Sequence, residues 1–215
     1  LKIIEDAAQS VGSKLFKKYS GTYGDIGCFS AHPLKNLNAI GDAGYLITNN
    51  KKYYEKIKDL SNHGMTKRDK VKNFGYVSRM DNLQAAFLNF KLKNLNKVIK
   101  KRRLNYNIYK KYLPKKVFFP IEKKEEFNTY HTFVIQVNDR NNLRNFLLKN
   151  KIITSIHYPI PIHLQPAAKR LGYKKGDFPV TEIQSRKILT LPIHQDLKKS
   201  DIIRVCKLIN KFVVK

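Results

Sequence analysis

Apolar and polar positions follow two different rhythms along this chain, and the change of rhythm predicts its elements. Over residues 1 to about 62, short apolar runs of strand length alternate with turn-forming residues and helical stretches. Ile3-Ile4 closes a strand, Ala7 to Val11 opens a helix, and Ser20-Gly21-Thr22-Tyr23-Gly24-Asp25 makes a turn. Ile26 to Ser30 and Tyr45 to Thr48 read as strands, followed by a helix over Lys51 to Leu60. From Asn82 to Leu113 the period becomes helical. There Leu83, Phe87, Phe90, Leu95, Val98 and Ile99 fall on one apolar stripe. Beyond Pro114 the pattern is mixed. It predicts a strand over Thr132 to Val137, a helix over Arg140 to Lys149 and a strand over Ile152 to Tyr158. Short helices over Pro166 to Leu171 and Val180 to Lys187 and a strand over Ile188 to Pro192 come next. A last helix, capped by Ser200, carries Ile202, Ile203, Cys206, Leu208 and Ile209.

This order of elements predicts an α/β protein in two parts. Residues 1–75 are expected to be the end of a larger α/β domain. Residues 76–215 are expected to hold a long linking helix and a smaller α+β domain. A chain of 215 residues can bury a sizeable core. No apolar run reaches the roughly 18 residues of a membrane helix, so no membrane partner is expected. Cys28 and Cys206 lie far apart and lack metal-ligand spacing, so both are expected as buried thiols of a cytoplasmic protein. The formal charge of +27 raises nucleic acid as a partner. However, the lysines are spread along the chain and no nucleic-acid motif accompanies them. The run Lys100-Lys101-Arg102-Arg103 reads as a solvated helix face, and no nucleic-acid partner is expected.

The candidate chemistry lies between the strands. Lys35 stands in a polar loop between Ile26–Phe29 and Tyr45–Thr48, and polar residues at strand ends of an open α/β sheet face the ligand crevice. Asp6 follows the apolar pair Ile3-Ile4 and Glu5, and Ser30 ends the strand before the lysine loop. An acid, a hydroxyl and a lysine at successive strand ends suit one chemistry well. The lysine forms a Schiff base with an aldehyde cofactor while the acid pairs with a protonated pyridine nitrogen. The amine must be neutral to act, against an ordinary pKa of about 10.4. Bringing it to neutrality costs about 4 kcal/mol, which burial and cationic neighbours can supply. Gly41-Asp42-Ala43-Gly44 forms the tight turn after the loop. Two histidines, His157 and His163, flank prolines with no carboxylate or thiol cluster nearby, so no metal site is expected.

The strings EDAAQSVGS and GTYGDIGCFSAHPLKNLNAIGDAG resemble the pyridoxal-phosphate-dependent sugar aminotransferases of the DegT/StrS family. The likeness continues through Ser78-Arg79-Met80-Asp81-Asn82-Leu83-Gln84-Ala85-Ala86, His157-Tyr158-Pro159-Ile160-Pro161-Ile162-His163-Leu164-Gln165 and Leu189-Thr190-Leu191-Pro192-Ile193-His194. It implies the carboxyl-terminal part of a fold-type-I transferase, with a further segment expected upstream. It also implies pyridoxal 5'-phosphate as cofactor and an internal aldimine on Lys35. Asp6 would pair with the pyridine nitrogen, Gln9 would lie near the ring hydroxyl, Ser30 would bind phosphate, and His32 would be a neighbour. His157, Tyr158 and His163 would border the substrate. The implied reaction moves an amino group from an amino acid, glutamate by family habit, to a nucleotide-linked keto-sugar in a homodimer. The Gly-Asp-Ala-Gly and Ser-Arg-Met-Asp strings resemble the dTDP-3-keto-6-deoxyhexose 3-aminotransferases. Lysine at position 35 argues against related sugar dehydratases, which carry histidine there. Val77 stands where the family has an asparagine that reaches the phosphate of the neighbouring subunit, and Ser78 or Arg79 could replace that contact. A second reading, a family member that binds cofactor without catalysis, rests on Val77 and on the expected upstream segment.

Overall fold

The computed structural model describes residues 1–213 and groups the chain into two compact units. One contains residues 1–100 and 122–131, the other residues 101–121 and 132 onward. In the first unit, β1 (Ile4–Asp6), β4 (Ile26–Ser30) and β5 (Gly44–Ile47) form a three-stranded sheet in the order β1-β4-β5. The β1 and β4 strands run parallel with Asp6 opposite Cys28, whereas β4 and β5 are antiparallel with Phe29 opposite Tyr45. Those two rings stack at 4.9 Å, a cross-strand pair that favours this register. The turn at 20–25 is present as expected, and Gly27 allows it: a Cβ there would lie 2.1 Å from the Gly21 carbonyl. Glu5 closes the turn by accepting hydrogen bonds from Gly21 N–H and Tyr23 N–H.

A second small sheet joins β2 (Lys14–Leu15), β3 (Lys18–Tyr19) and β8 (Glu126–Phe127) in the order β3-β2-β8. Sequence pattern does not show it. Its turn uses Phe16 and Lys17 at positive φ, without the glycine or asparagine that ordinarily marks such a hairpin. The unit also contains α1 (Lys51–Ser61), the hairpin β6 (Met65–Lys67) and β7 (Lys70–Val71), and α2 (Asn82–Leu92). Helix α3 (Leu95–Tyr112) begins in this unit and continues into the second.

The expected helix over Ala7 to Val11 is absent. Successive turns stand there, with Ser10 N–H on the Ala7 carbonyl and Ser13 N–H on the Ser10 carbonyl. Gly12 at φ 80° ends a run too short to nucleate a helix. The single long helix expected over Asn82 to Leu113 is two helices. Asn94 interrupts it by accepting at its carbonyl the N–H groups of Lys97 and Val98. The stripe divides with it: Leu95 and Ile99 are buried and Leu88 joins them, whereas Leu83 and Phe90 are exposed. Within the basic run, Arg102 is 6 % exposed rather than solvated.

The second unit is built on β9 (Phe133–Gln136) paired antiparallel to β10 (Ile188–Leu191), with α4 (Arg140–Lys149), α5 (Pro179–Lys187) and α6 (Lys199–Val213). Its core holds Ile135, Leu143, Leu147, Leu189, Leu191, Ile202 and Ile209, all nearly inaccessible. Tyr109 stacks on Phe133 at 4.7 Å and donates its hydroxyl to the Pro192 carbonyl at 2.7 Å. Cys206 is buried as expected, its thiol pushed up to about 12 by burial, while Cys28 is only half-buried. The strand expected over Ile152 to Tyr158 is reduced to one bridge, Ser155 with Thr190. Pro159 and Pro161 restrict the backbone there and remove donors. Ser200 lies inside α6 and does not cap it. Asp201 closes the first turn instead, its carboxylate accepting Lys198 N–H at 3.2 Å.

His163 and Glu182 form a buried pair in this unit, with Nε2 and Oε1 3.1 Å apart. The same carboxylate accepts Gly176 N–H at 2.7 Å, which fixes the loop before α5. The Gly176 N–H and then the His163 ring hold the Glu182 carboxyl below its ordinary 4.5. A lowered carboxyl pKa stabilises the fold above pH 4.5, and that stabilisation is lost as pH falls through the lowered value. Glu182→Gln should therefore lower the thermal midpoint at neutral pH and flatten its acid decline below 4.5, as read by unfolding across pH. Ile209→Ala, at a fully buried position, should cost about 2–5 kcal/mol in denaturant unfolding.

Candidate active site

The first unit brings together Asp6, Ser30 and Lys35. Parallel pairing of β1 with β4 sets Asp6 and Ser30 at the same end of two neighbouring strands. Asp6 is exposed, and its Oδ1 accepts the Ala8 N–H at 3.0 Å, which orients the carboxylate at the start of the turn. Gln9 lies in that turn and is exposed. Ser30 is half-buried, its Oγ accepting His32 N–H at 3.3 Å.

The lysine loop is over-determined by its own bonds. Ala31 N–H donates to the Ala43 carbonyl and Ala39 N–H to the Ala31 carbonyl, both at 2.8 Å, closing the loop at its base. Lys35 N–H donates to the His32 carbonyl at 2.8 Å, and Leu34 N–H to His32 Nδ1 at 3.2 Å. His32 thus shapes the turn that carries the lysine. Its Nε2 lies 3.7 Å from Asp42 Oδ1, a contact of little energy because the carboxylate is exposed. Beneath the loop, Ala31, Leu37 and Ala39 pack with Leu88, Leu95 and Ile99. These contacts explain how a polar loop is held against helices α2 and α3.

Lys35 itself is half-buried. Burial pulls its pKa below the ordinary 10.5, and the Asp6 carboxylate opposes that pull. The two groups therefore share one electrostatic environment at the sheet end. An amine with a growing neutral fraction, beside a carboxylate, can attack a carbonyl and then carry protons.

An open cleft of about 1160 Å³ adjoins the loop, lined by Ser30, His32, Asp42, Tyr45, Ser78 and Arg79 among others. Lys35 and Asp6 lie outside its lining. Val77 is exposed and bridges Asn62.

In the second unit, His157 and Tyr158 are exposed, with His157 Nδ1 2.9 Å from Thr190 Oγ1. His163 is buried against Glu182, so its side chain supports the 157–165 segment from within. Two further groups act on the lysine loop. Gln84 Oε1 accepts Ile40 N–H at 2.9 Å and Gly41 N–H at 3.4 Å, and Asn36 Nδ2 donates to the Thr129 carbonyl at 3.0 Å. Gln84 and Asn36 fall inside strings that resemble the family, although neither residue stands out there, whereas nothing in the sequence marks Thr129. No helix among the described residues is long and apolar enough to cross a membrane.

Comparison with known proteins agrees with this geometry. A relative from Geobacillus stearothermophilus, a pleiotropic regulatory protein, is 36 % identical over 93 % of this chain and 55 % of its own length. A UDP-N-acetyl-3-dehydro-alpha-D-glucosamine 3-aminotransferase from Acidithiobacillus ferrooxidans is 32 % identical over 98 % of this chain and 57 % of its own. The chain thus spans a little over half the length of these relatives. The crystal structure of S. venezuelae DesV with a ketimine intermediate superimposes with a TM-score of 0.96 at 29 % identity, covering all of this chain and 58 % of that one. The fold is that of these aminotransferases. With a profile match over residues 1–210, the chain belongs to the DegT/DnrJ/EryC1/StrS aminotransferase family.

Proposed function

We propose that the protein carrying this chain transfers an amino group from an amino acid, glutamate in our reading, to a nucleotide-linked keto-sugar. The observation that carries this reading is the electrostatic coupling of Asp6 with a half-buried Lys35 at adjacent strand ends. The family depends on pyridoxal phosphate, and the donor set here fits it: carboxylate, amine and hydroxyl stand at one end of the sheet. When bound, that cofactor supplies an aldehyde that condenses with amines and a ring that takes up electrons.

Asp6, oriented at the end of β1 by the Ala8 N–H, would hold the pyridine nitrogen of the cofactor in its protonated form. Lys35 would be the residue that holds the cofactor, and its amine, as a free base, would move a proton at the substrate carbon. Ser30 would offer its hydroxyl to the cofactor phosphate, and Gln9 would be a further cofactor-binding residue. His157 and Tyr158 contact the sugar nucleotide, while His163 positions their segment through Glu182. The charge of +27 favours phosphorylated ligands. Leu34 and Ile40 of the loop and Leu83 of α2 are exposed apolar groups, which supports a homodimer that covers this face. The Gly41-Asp42-Ala43-Gly44 string supports a dTDP-linked 3-keto-6-deoxyhexose as acceptor, and the A. ferrooxidans relative, a 3-aminotransferase by name, is consistent with amination at carbon 3. We assign the reaction to the cytoplasm, consistent with two free cysteines.

A non-catalytic, regulatory reading is favoured by Val77 and by the name of the 36 % identical relative. One assay separates the two. Full-length protein with pyridoxal phosphate, glutamate and the 3-keto-sugar nucleotide should yield equal amounts of 2-oxoglutarate and amino sugar. Lys35→Ala should slow this about a thousandfold or more, and Asp6→Asn about 10²–10³-fold. Folded, cofactor-bound protein that forms no 2-oxoglutarate would establish the regulatory reading instead.

A further inference from the structure

Asn36 follows Lys35 and is only 7 % exposed. Its Nδ2 donates to the carbonyl of Thr129, a residue 93 positions later in the chain. Its Oδ1 is buried without a hydrogen-bond partner among the described residues. An amide buried with half its capacity unmet costs stability relative to an apolar side chain of the same size, so packing alone does not account for it. Thr129 is 1 % exposed and holds a second bond: its Oγ1 lies 3.1 Å from Ser13 Oγ. From Ser13 the backbone bonds run through Ser10 to Ala7, whose N–H donates to the Cys28 carbonyl directly after Asp6. Gly12 makes the approach feasible. At φ 80°, a Cβ there would meet Ile99 Cδ1 at 2.7 Å and Thr129 Cγ2 at 3.5 Å. Buried Thr129 thus bonds both to the lysine loop, at Asn36, and to the turns that follow Asp6, at Ser13.

We infer that Asn36 is a positioning residue for Lys35, tying the lysine loop through Thr129 to the turn that follows Asp6. The inference rests on the reading of Lys35 as the reactive amine. Gln84 secures the far end of the loop at Ile40 and Gly41, and Asn36 secures the end next to the lysine. With Asn36 removed, the Lys35 turn keeps its bonds to His32 and the closure at the loop base but loses its tie to Thr129, which opens it to solvent. The burial that pulls the Lys35 amine below its ordinary value is then reduced.

The test uses cofactor-free full-length protein as wild type, Asn36→Leu and Thr129→Val. Amide hydrogen exchange is read by peptide. The pH dependence of Lys35 acetylation by acetic anhydride is read by mass spectrometry. In Asn36→Leu, exchange should rise about tenfold in residues 31–43 and 7–13, with β4, β5 and the second unit unchanged. The pH of half-maximal Lys35 acetylation should move up by about one. Thr129→Val keeps its backbone carbonyl, so only residues 7–13 should loosen and Lys35 should titrate as in wild type. Wild-type exchange and titration in Asn36→Leu, or exchange raised equally everywhere, would overturn the inference. If Asn36→Leu does not fold, unchanged exchange in residues 7–13 of Thr129→Val overturns the tie. Neither readout uses cofactor, so failure of the aminotransferase reading is registered separately, in the amino-transfer assay.

Discussion

Parallel pairing of β1 with β4 is the constraint on which the candidate site depends. Hydrogen bonding that sets Asp6 opposite Cys28 brings two strand ends to one end of the sheet, with Asp6 closing one strand and Lys35 in the loop after the other. A parallel pair places chain exits side by side, so an acid after one strand and a lysine after the next share a crevice. Neither residue then needs an unusual conformation. The remaining structure holds the loops still.

That holding is distributed and mostly buried. The lysine loop is closed at its base by Ala31, Ala39 and Ala43, shaped at its tip by His32, and fixed laterally by Gln84 and Asn36. Its small apolar residues sit on Leu88, Leu95 and Ile99. The lysine is thereby kept half out of water, where burial and the Asp6 charge act on it in opposite senses. Burial favours the neutral amine that can react, while the carboxylate retains part of the charged form. A group in this balance responds to small displacements, which gives a polar tie beside it functional weight.

Much of this was legible in the chain. The strands that flank the loop, the turn at 20–25 and helix Arg140–Lys149 follow from local pattern, because each is defined by residues adjacent in sequence. The placement of Asp6 at a strand end and of Lys35 in the loop between two strands was legible because each follows a short apolar run. Where local pattern failed, a distant partner or a single polar residue had intervened. Ala7 to Val11 looks helical, yet its turns are fixed by Cys28 and, through Ser13, by Thr129. Asn94 divides a helix whose apolar period runs straight through it. Residues 126–127 pair with a hairpin more than a hundred positions earlier. The pairing of His163 with Glu182, 19 positions later, likewise had no local signal. Asn36 lies within a family-like string, but its tie was not legible there, since the partner Thr129 is 93 positions away.

The central claim is that Lys35 is the amine that holds the cofactor. Full-length protein incubated with pyridoxal phosphate, reduced with borohydride and digested tests it most directly. The account predicts a pyridoxyl mass increment on the peptide containing Lys35, and its loss in Lys35→Ala. A folded protein that carries no label there, or carries it on other lysines alone, would contradict the account.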